Sequence, residues 1–448
     1  MPMPNAKPGR RALVVGLGRT GVSVARFLAA RGWSVAVTDS RPNPPGLEAL
    51  REGVPDAAVF VGGFSERALD HADEVVLSPG VALSDPFLRA AAARGLPIVG
   101  DVELFARHAR APVVAITGSN GKSTVTTLVG MMAERAGRSV RVGGNLGTPA
   151  LDLIGAAEPD LYVLELSSFQ LETTNSLAAA AATVLNLSPD HLDRYPDLAA
   201  YARAKGRVYQ GCAVPVVNRA DPVAAALAGG APRIGFGPDA PPSDRDWGVA
   251  ERSGRRWLVR GSEAWFAADE LLLRGEHNLQ NALAAAALAD SVGVPRPAVV
   301  ETLREFRGLP HRTEFVVEHG GVVYLNDSKG TNVGATLAAI AGLAGPLVVI
   351  LGGDGKGQDF APLAVALRGK GRAAVLLGRD APVLEAALRG VLPLHRVATL
   401  EQAVAQAAQL ARSGDTVLLS PACSSLDMFE SYEHRGRAFA AAARRVAA

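Results

Sequence analysis

The chain has 448 residues, of which 48% are hydrophobic and 20% are charged, and its formal net charge is +2. This length suffices for two to four domains, and the scattered basic residues indicate neither a nucleic-acid nor a membrane-binding face. No apolar run approaches the roughly 20 residues of a membrane helix. The first ten residues also lack the apolar stretch of a secretion signal, so we expect no membrane insertion and a cytoplasmic location.

The use of cysteine and lysine is sparse. Cys212 and Cys423 lie far apart in the sequence, which argues against a disulfide scaffold. Only six of the 46 basic residues are lysine. Because a lysine amine is a compact charge that can also lose its proton, a retained lysine is a candidate for chemistry that arginine cannot do. Four of the six lie in motifs described below: Lys122, Lys205, Lys329 and Lys356.

Residues 11–100 predict a doubly wound unit of parallel strands and helices. Its predicted elements are a strand over 11–15, the turn Gly16-Leu-Gly-Arg-Thr-Gly21, a helix over 22–31, and strands over 35–38, 75–80 and 97–99. Gly16, Gly18 and Gly21, followed about 20 residues later by Asp39, match the fingerprint of dinucleotide-binding folds. Such a turn holds any diphosphate, so the fingerprint alone leaves both NAD and a nucleotide sugar open.

The second unit, from about Asp101 to Gly308, is organised around Thr117-Gly-Ser-Asn-Gly-Lys-Ser-Thr124. Its glycines let the backbone approach an anion, the amides at the following helix start point at it, and Lys122 adds a cation, with a hydroxyl placed to meet Mg²⁺. Ile116 stands where a standard phosphate loop has its first glycine. An ordinary Gly-rich turn is the alternative, but strand, turn, lysine and hydroxyl all agree with a phosphate loop.

The remaining elements of this unit alternate between strand and helix. They are a strand over 111–116, a helix over 125–133, strands over 161–165 and 183–187, a helical stretch over 198–210, an antiparallel patch near 256–266, and an Ala-rich helix opening at 275–281. This alternation predicts a parallel sheet with its site at the carboxyl ends of the strands.

Three polar residues follow these strand ends or lie near them. Glu165 is placed to ligate Mg²⁺ together with Ser123, although an acid paired with arginine is the alternative. His191 follows another strand end, and a purely structural histidine is an equal expectation for that residue alone. Lys205 would ordinarily be solvated, but the scarcity of lysine and the spacing from His191 favour a role in the site.

A charge argument indicates what such a site must contain. One pair of like charges at 4 Å costs roughly 4 kcal/mol at an effective dielectric constant near 20, so an acid substrate meets strong repulsion as it approaches ATP. Lys122 alone cannot offset several such pairs. Two Mg²⁺ ions would, with Glu165 and His191 as their visible protein ligands.

The third unit begins near Leu309 and carries unusually dense polar loops. Strands are predicted over 315–317, 322–325, 347–351, 373–377 and 416–419, with helices between them. The polar loops are His311-Arg-Thr-Glu314, Asn326-Asp-Ser-Lys-Gly-Thr-Asn332, Gly352-Gly-Asp-Gly-Lys-Gly357 and Ser420-Pro-Ala-Cys-Ser-Ser-Leu-Asp427.

As a set, these motifs resemble the Mur ligases, and among them the type that adds D-glutamate. The motifs occur in the order Thr117–Thr124, Leu164-Glu-Leu-Ser-Ser-Phe-Gln-Leu-Glu172, His191-Leu-Asp-Arg-Tyr-Pro196, Gly275-Glu-His-Asn278, Leu309-Pro-His-Arg312, Asn326–Asn332 and Ser420–Asp427. The resemblance covers nearly the whole chain from Arg11 onward. Each motif alone is modest, but their combination is specific.

The resemblance implies an α/β fold of three domains. Residues 1–100 would form a Rossmann-like domain for the UDP substrate, 101–308 a central P-loop-type ATPase with a mostly parallel sheet, and 309–448 a Rossmann-like amino-acid-binding domain. The implied activity is ATP-dependent ligation of D-glutamate to UDP-N-acetylmuramoyl-L-alanine through an acyl phosphate, in peptidoglycan precursor synthesis. The implied cofactors are ATP and Mg²⁺ at two sites, and we expect a monomer whose partners are small molecules.

The resemblance also implies the site residues. Those expected at the UDP substrate are Gly18, Arg19, Thr20, Gly21, Asp39, Ser40, Gly80, Asn145 and Ser167. Those expected at ATP are Gly118, Ser119, Asn120, Gly121, Lys122, Ser123, Thr124, Asn278, Arg312 and Asp327. Those expected at D-glutamate are Lys329, Thr331, Lys356, Ser425, Leu426 and Tyr432, and those expected at the metals are Ser123, Glu165, His191 and Lys205.

Among these residues, Lys122, His191 and Lys205 are the implied catalytic set, with Lys205 as an N-carbamate, a modification that arginine cannot undergo. Two departures from the family pattern stand out. Tyr432 occupies a position where similar ligases often have phenylalanine. The segment between His191 and Lys205 is about one residue shorter than in some relatives.

Three alternatives remain open on the sequence. A sister ligase for another amino acid or for folate would share the ATP chemistry, but the Ser420–Asp427 stretch and the short N-terminal unit favour D-glutamate, and an Asp-Asn-Pro-Arg motif of the diaminopimelate-adding relatives is missing. An NAD oxidoreductase would leave Lys122 and Glu165 unexplained. A non-catalytic nucleotide switch would bind ATP without releasing phosphate.

Overall fold

The computed structural model describes residues 9–191, 194–230, 232–273, 275–343 and 345–447. Three sheets follow one another along the chain, each flanked by helices, which confirms the predicted α/β fold. The domain limits at 100 and 308 stay predictions. The first eight residues, on which the prediction about secretion partly depended, and Leu192-Asp193 of the His191 motif lie outside the described residues.

The first sheet has five parallel strands in the order β3-β2-β1-β4-β5. Its elements are β1 (Arg11–Val15), α1 (Arg19–Ala29), β2 (Ser34–Asp39), α2 (Leu47–Gly53), β3 (Ala58–Val61), β4 (Glu74–Leu77), α3 (Pro86–Ala93) and β5 (Ile98–Gly100). The predicted helix over 22–31 was placed too late, because α1 begins immediately after Gly18. The strand predicted over 75–80 ends at Leu77, and β3 was not predicted.

The second sheet has nine strands in the order β14-β13-β12-β11-β10-β9-β6-β8-β7. Its strands are β6 (Val113–Thr117), β7 (Val140–Gly144), β8 (Leu161–Glu165), β9 (Ala181–Val184), β10 (Val214–Asn218), β11 (Ile234–Phe236), β12 (Trp247–Arg252), β13 (Arg255–Arg260) and β14 (Glu263–Ala267). The pairs from β7 to β12 are parallel, and β12 to β14 form the predicted antiparallel patch. As a result, β6, β8 and β9 end side by side.

Seven α-helices accompany this sheet within the described residues. They are α4 (Asp101–Ala106), α5 (Lys122–Arg135), α6 (Ser168–Glu172), α7 (Leu198–Gly206), α8 (Pro222–Ala226), α9 (Glu276–Ser291) and α10 (Arg296–Glu305). The helical stretch predicted over 198–210 is α7 followed by a 3₁₀ turn, Arg207–Tyr209. The strand predicted over 183–187 ends earlier, at Val184.

The third sheet has six strands in the order β15-β16-β20-β17-β18-β19, and only the β15–β16 pair is antiparallel. Its elements are β15 (Glu314–His319), β16 (Val322–Asn326), α11 (Val333–Gly342), β17 (Leu347–Gly352), α12 (Ala361–Leu367), β18 (Gly371–Leu377), α13 (Ala381–Leu388), β19 (Leu394–Arg396), α14 (Leu400–Leu410), β20 (Thr416–Leu419) and α15 (Tyr432–Ala447).

The hydrophobic cores show which units are firmly joined. One buried cluster runs from the first sheet through α4 into one face of the second sheet, with Val14, Phe105 and Leu164 among its members. The opposite face of the second sheet packs on α5 and α9, where small alanines permit close helix contact. The third sheet has separate clusters on its two faces, so polar contacts carry much of its attachment to the second.

Asp101 opens α4 at the junction between the first two sheets. Its carboxyl group is fully buried, with Oδ2 accepting a hydrogen bond from Gln170 Nε2 at 3.0 Å. Burial raises the pKa of Asp101 to about 6. Because the folded state then holds a proton that the unfolded state releases near pH 4, this residue lowers stability as the pH rises from about 4 to about 6.

We therefore expect Asp101→Asn to raise the free energy of unfolding by roughly 2 kcal/mol at pH 7.5, and to have little effect near pH 4. Urea unfolding at the two pH values measures this. Asp73→Asn is the matched control, because Asp73 is only half-buried and is paired with Arg11, which holds its pKa below the ordinary value. An Asp101→Asn variant less stable than the parent at pH 7.5 would contradict the argument.

No helix of the described residues is both long enough and apolar enough to cross a membrane.

Candidate active site

The Gly-rich turn joins β6 to α5 at the carboxyl edge of the second sheet. Gly121 has a φ of +84°, a conformation that strains a residue with a side chain. A Cβ atom there would also clash with Asn281, since it would lie 2.3 Å from Asn281 Oδ1. Helix α5 begins at Lys122, which leaves its first backbone amides without helical partners. Lys122 Nζ donates to the carbonyl oxygens of Gly118 and Ser119, both at 2.9 Å. The loop is thus an anion-binding cradle with a cation folded across it.

Glu165 ends β8 beside this cradle and is buried. Its Oε1 accepts a hydrogen bond from Asn145 Nδ2 at 2.8 Å, while the buried Oε2 has no hydrogen-bond partner among the described residues. Burial favours the neutral acid, but the charge of Lys122, the nearby Ser123 hydroxyl and the bond from Asn145 outweigh it, so the pKa of Glu165 lies below its ordinary value. An ionised carboxylate with an orphan oxygen fits a cation ligand, since a buried unpaired oxygen is otherwise costly.

Lys205 and His191 lie on the far side of the loop and share a neighbour. Lys205 Nζ donates to the Gly118 carbonyl at 2.9 Å and lies 4.7 Å from the centre of the Tyr201 ring. The His191 ring centre is 6.4 Å from that of Tyr201. Burial, then the charge of Lys122, lowers the pKa of Lys205 well below its ordinary value. Loss of a proton to give the neutral amine that carbamate formation requires is therefore easier than for an ordinary lysine.

Two side chains of the third unit reach the phosphate loop directly. Arg312 Nη2 donates to Ser123 Oγ at 2.7 Å. Asn332 shares amide contacts with Asn120 at 3.3 and 3.4 Å, and its Nδ2 also donates to Asp190 Oδ2 at 3.2 Å. The third unit is therefore closed onto the loop.

Asp190 joins Lys356 of the third unit to the second sheet. Lys356 Nζ lies 3.5 Å from Asp190 Oδ1, and the charge of Lys356 holds the pKa of this carboxyl below its ordinary value despite its burial. Lys356 has a φ of +51° and His191 a φ of +55°, conformations in which an L-residue is strained.

Lys329 and Asp327 form the wall of the third unit. Lys329 Nζ lies 3.7 Å from the centre of the Tyr432 ring, and burial lowers the pKa of Lys329 to about 8. Asp327 accepts hydrogen bonds from Ser420 Oγ at 2.6 Å and from the Thr313 amide at 3.1 Å, and burial raises its pKa to about 6. None of the five lysines in the described ranges is exposed.

A narrow cleft of about 120 Å³ separates the two units at this point. Its lining includes residues from both: Asn120, Gly121, Thr124, Asn278, Arg312, Asp327 and Lys329. A second cavity, of about 570 Å³, opens at the carboxyl end of the first sheet and extends to the second. Its lining includes Gly18, Arg19, Thr20, Asp39, Ser40, Gly80 and Asn145. Asn145 therefore connects this cavity to Glu165 and the phosphate loop.

The glycine turn of the first unit is built as its sequence predicts. A Cβ atom at Gly21 would lie 2.0 Å from the Gly16 carbonyl oxygen, so α1 packs tightly on the turn. Asp39 Oδ2 accepts a hydrogen bond from the Leu17 amide at 2.7 Å, and Arg41 pairs with the same carboxylate at 2.7 Å. The hydrogen bonds from Arg41 lower the pKa of Asp39 to about 2, so this acid is ionised at neutral pH.

Matches to family models span the chain. Residues 10–100 match the Mur ligase MurD-like N-terminal domain, 116–289 the Mur ligase middle domain, and 311–423 the Mur ligase glutamate ligase domain. A UDP-N-acetylmuramoylalanine–D-glutamate ligase of Nitrosococcus oceani is 55% identical over 438 residues, which cover 97% of this chain and 96% of the relative. The corresponding Pseudomonas aeruginosa ligase is 53% identical over 440 residues, covering 97% and 98%.

The chain belongs to the Mur ligase family. Solved Mur ligases share its fold. A UDP-N-acetylmuramate-alanine ligase of Thermotoga maritima superposes with a TM-score of 0.62 at 19% identity, covering 97% of this chain and 99% of the other. MurF of Acinetobacter baumannii superposes with a TM-score of 0.61 at 18% identity, covering 99% and 93%. At these identities the likeness concerns the three-unit Mur ligase architecture alone.

Some of the predicted Mur ligase residues line these two cavities, and others lie outside both linings. Lys122, Glu165 and Lys205 converge on the phosphate loop, and His191 approaches it through Tyr201. Other positions make contacts that do not involve a cavity: Ser167 caps α6, and Leu426 is 71% exposed. The roles assigned to individual residues stay predictions.

Sequence reasoning missed several residues of this Mur ligase site. Asp190, Asn332 and Gln170 were not singled out, although Asp190 adjoins His191 and Asn332 ends a polar loop that was noted. Arg41 was missed as well, since nothing in the sequence says that its guanidinium turns back onto Asp39. Among the described residues, no group of three or more His, Cys, Asp or Glu side chains forms a metal site.

Proposed function

We propose that this chain is an ATP-dependent ligase that joins D-glutamate to UDP-N-acetylmuramoyl-L-alanine in the synthesis of peptidoglycan precursors. The observation that carries the proposal is the closure of the third unit onto the phosphate loop of the second, where Arg312 contacts Ser123 and Lys356 pairs with Asp190. The names of the relatives that match almost the whole chain support the same reaction.

The substrates would divide between the cavities by charge and size. ATP would place its phosphates on the amides and Lys122 of the loop, with its nucleoside toward Asn278 and Asp327 in the narrow cleft. The UDP portion of the acid substrate would occupy the cavity at Gly18 and Asp39, with Asn145 at the end nearer Glu165. D-glutamate would enter beside Lys356, whose ammonium suits a carboxylate.

The first chemical step would be transfer of a phosphoryl group. The L-alanyl carboxylate attacks the γ-phosphorus of ATP, the new O–P bond gives an acyl phosphate, and the bond to ADP breaks. Negative charge grows around the transferring group, and Lys122 and Arg312 lie where they would stabilise it. Closure of the third unit over the loop would exclude the water that otherwise hydrolyses an acyl phosphate.

The second step would form the amide. The ammonium group of D-glutamate first loses one proton to solvent, and the neutral amine then attacks the acyl carbon. The tetrahedral intermediate collapses to the amide as inorganic phosphate leaves and takes up the second proton of the amine nitrogen. Asp190 and Lys356 lie at the entry to this region and would orient the amino acid. Across the two steps, one carboxylate, one ATP and one D-glutamate in its ammonium form give one amide, one ADP, one hydrogen phosphate and one proton.

As a member of the Mur ligase family the protein is expected to use ATP and Mg²⁺. We propose two Mg²⁺ sites, the first at Ser123 and Glu165 and the second at His191 and a carbamate on Lys205. The orphan Oε2 of Glu165 and the lowered pKa of the Lys205 amine support this assignment. When bound, the ions would neutralise the phosphate charge that the acid substrate must approach.

Phosphate release across a panel of amino acids tests the proposed function. With ATP, Mg²⁺ and UDP-N-acetylmuramoyl-L-alanine present, we expect release with D-glutamate and none above background with L-glutamate, L-alanine or diaminopimelate. Omitting the UDP substrate should abolish release. Preference for another amino acid would move the chain to a sister ligase, and no release with any of them would contradict the proposal.

Replacing Lys356 separates amino-acid binding from nucleotide binding. We expect Lys356→Ala to raise the KM for D-glutamate by about 30-fold, the value of a charge-assisted hydrogen bond near 2 kcal/mol, and the KM for ATP by less than about threefold. Initial rates of phosphate release measure both. Lys370→Ala is the control, since Lys370 Nζ bonds to the Ile340 carbonyl away from the cleft. Equal changes in both KM values would contradict the assignment.

A further inference from the structure

Arg194 links the segment that contains His191 to the first unit. Its Nη1 donates to the Pro79 carbonyl at 2.8 Å, and its Nη2 donates to the Val81 carbonyl at 3.0 Å. The same Nη2 also donates to Glu172 Oε2 at 3.2 Å. The Arg194 side chain is only 12% exposed, so these bonds are formed largely out of water, where they are stronger than at the surface.

The loop that Arg194 holds is a wall of the larger cavity. Ser78, Pro79, Gly80 and Val81 all line that cavity. Ser78 Oγ donates to the Gly16 carbonyl at 2.8 Å, so the loop is tied on its other side to the glycine turn. An arginine of the second unit thus binds one wall of a first-unit cavity through two backbone carbonyls.

The other contacts of Arg194 lead to the phosphate loop. Its guanidinium lies over the Phe169 ring, 4.1 Å from the ring centre. Phe169 in turn meets the His191 ring edge-on, with centres 4.8 Å apart. Both Phe169 and Glu172 belong to α6, the short helix that also places Gln170 at the cavity. One side chain therefore contacts the cavity wall, α6 and the aromatic neighbour of His191.

We propose that Arg194 is a positioning residue that sets the wall of the UDP-substrate cavity and the place of His191 together. The inference rests on the proposed function, in which that cavity holds the UDP substrate and His191 serves catalysis. Arg194 touches neither reacting group and acts through the backbone of residues 79–81 and through Phe169. Binding of the nucleotide portion against this wall would then favour the arrangement of His191 in which phosphoryl transfer proceeds.

Two readouts test the two ends of this link. Isothermal titration calorimetry without ATP measures the Kd of UDP-N-acetylmuramoyl-L-alanine at the cavity. The effect at His191 is measured by kcat and by the Mg²⁺ concentration that gives the half-maximal rate. For Arg194→Ala we expect the Kd to rise about tenfold or more and kcat to fall about tenfold, with the KM for D-glutamate unchanged within about twofold. Arg194→Lys should recover part of both effects, since an ammonium can reach one carbonyl but cannot bridge two.

Matched variants separate this role from a purely structural one. Arg207 also binds backbone carbonyls beside α6, those of Leu171 and Thr174, but does not reach residues 79–81. Arg207→Ala should lower the thermal midpoint and leave the Kd of the UDP substrate unchanged. Arg194→Ala alone leaves the Glu172 carboxylate without its arginine partner. The double variant Arg194→Ala with Glu172→Gln also removes that charge, and it should show the same changes in Kd and kcat as Arg194→Ala.

The results distinguish failure of this inference from failure of the proposed function. If the parent protein binds the UDP substrate and releases phosphate with D-glutamate, but Arg194→Ala keeps either its Kd or its kcat within about twofold of the parent value, the inference is overturned alone. The inference is also overturned if Arg207→Ala weakens binding of the UDP substrate as much as Arg194→Ala does. If the parent protein neither binds that substrate nor releases phosphate, both fall together.

Discussion

Lys122→Ala is expected to lower kcat/KM for phosphate release by about 10³-fold or more. The amine lies against the carbonyls of Gly118 and Ser119, across the mouth of the anion-binding turn. In the proposed function Lys122 neutralises the charge of the transferring phosphoryl group, and removal of one such preorganised donor typically costs 10²–10³-fold in rate. Loss of binding to the phosphates of ATP adds to that effect.

The Lys122 variant should remain folded, because Lys205 also donates to the Gly118 carbonyl and keeps that oxygen satisfied. A thermal midpoint close to that of the parent would establish this. Lys122→Arg should recover little activity, since a planar guanidinium is longer and bonds in a different geometry from an ammonium. A Lys122→Ala variant that retained more than about one tenth of the parent rate would contradict a phosphate-binding role.

Lys205→Ala is the second change with a large expected effect, a loss of about 10³-fold in kcat. Lys205 is 1% exposed and is enclosed by the phosphate loop and Tyr201. If a carbamate at this position is the working group, the truncated side chain leaves a space that a small carboxylate can enter. We therefore expect formate, acetate or propionate at high concentration to restore activity by about tenfold or more.

The controls for this rescue come from the same site. Lys122→Ala should not respond to the same acids, because an anion cannot replace a cation. Lys205→Arg should not respond either, since its side chain still fills the space and cannot be carbamylated. Absence of any rescue of Lys205→Ala, at acid concentrations that leave the parent enzyme active, would count against the carbamate.

Much of the fold could be predicted from apolar runs of sequence that are bounded by glycine and polar motifs. The strands Arg11–Val15, Leu161–Glu165 and Thr416–Leu419 have the predicted bounds, since each is a buried run with a sharp polar end. The strand Ala58–Val61 was missed because it lies at a sheet edge, with most of its residues exposed. The strand Leu394–Arg396 has only three residues and no buried side chain to mark it.

The parts of the candidate site that lie within one sequence motif could be predicted. The contacts formed between the second and third units could not. The phosphate loop and Glu165 follow from motif and strand position. The contact of Arg312 with Ser123 joins residues 189 positions apart, and that of Asn332 with Asp190 joins residues 142 apart. No periodicity encodes such pairs, because they arise only when the third sheet is placed against the second.

The burial of the lysines has a practical consequence for handling the molecule. Reagents that acylate primary amines meet no exposed lysine in the described part of the chain, where the surface cations are mainly arginine. Fluorescent tagging or surface immobilisation through amines would therefore reach half-buried or buried lysines, and modification of those at the proposed site, such as Lys122 and Lys205, would damage the preparation. Coupling through introduced cysteines, away from Cys212 and Cys423, avoids that loss.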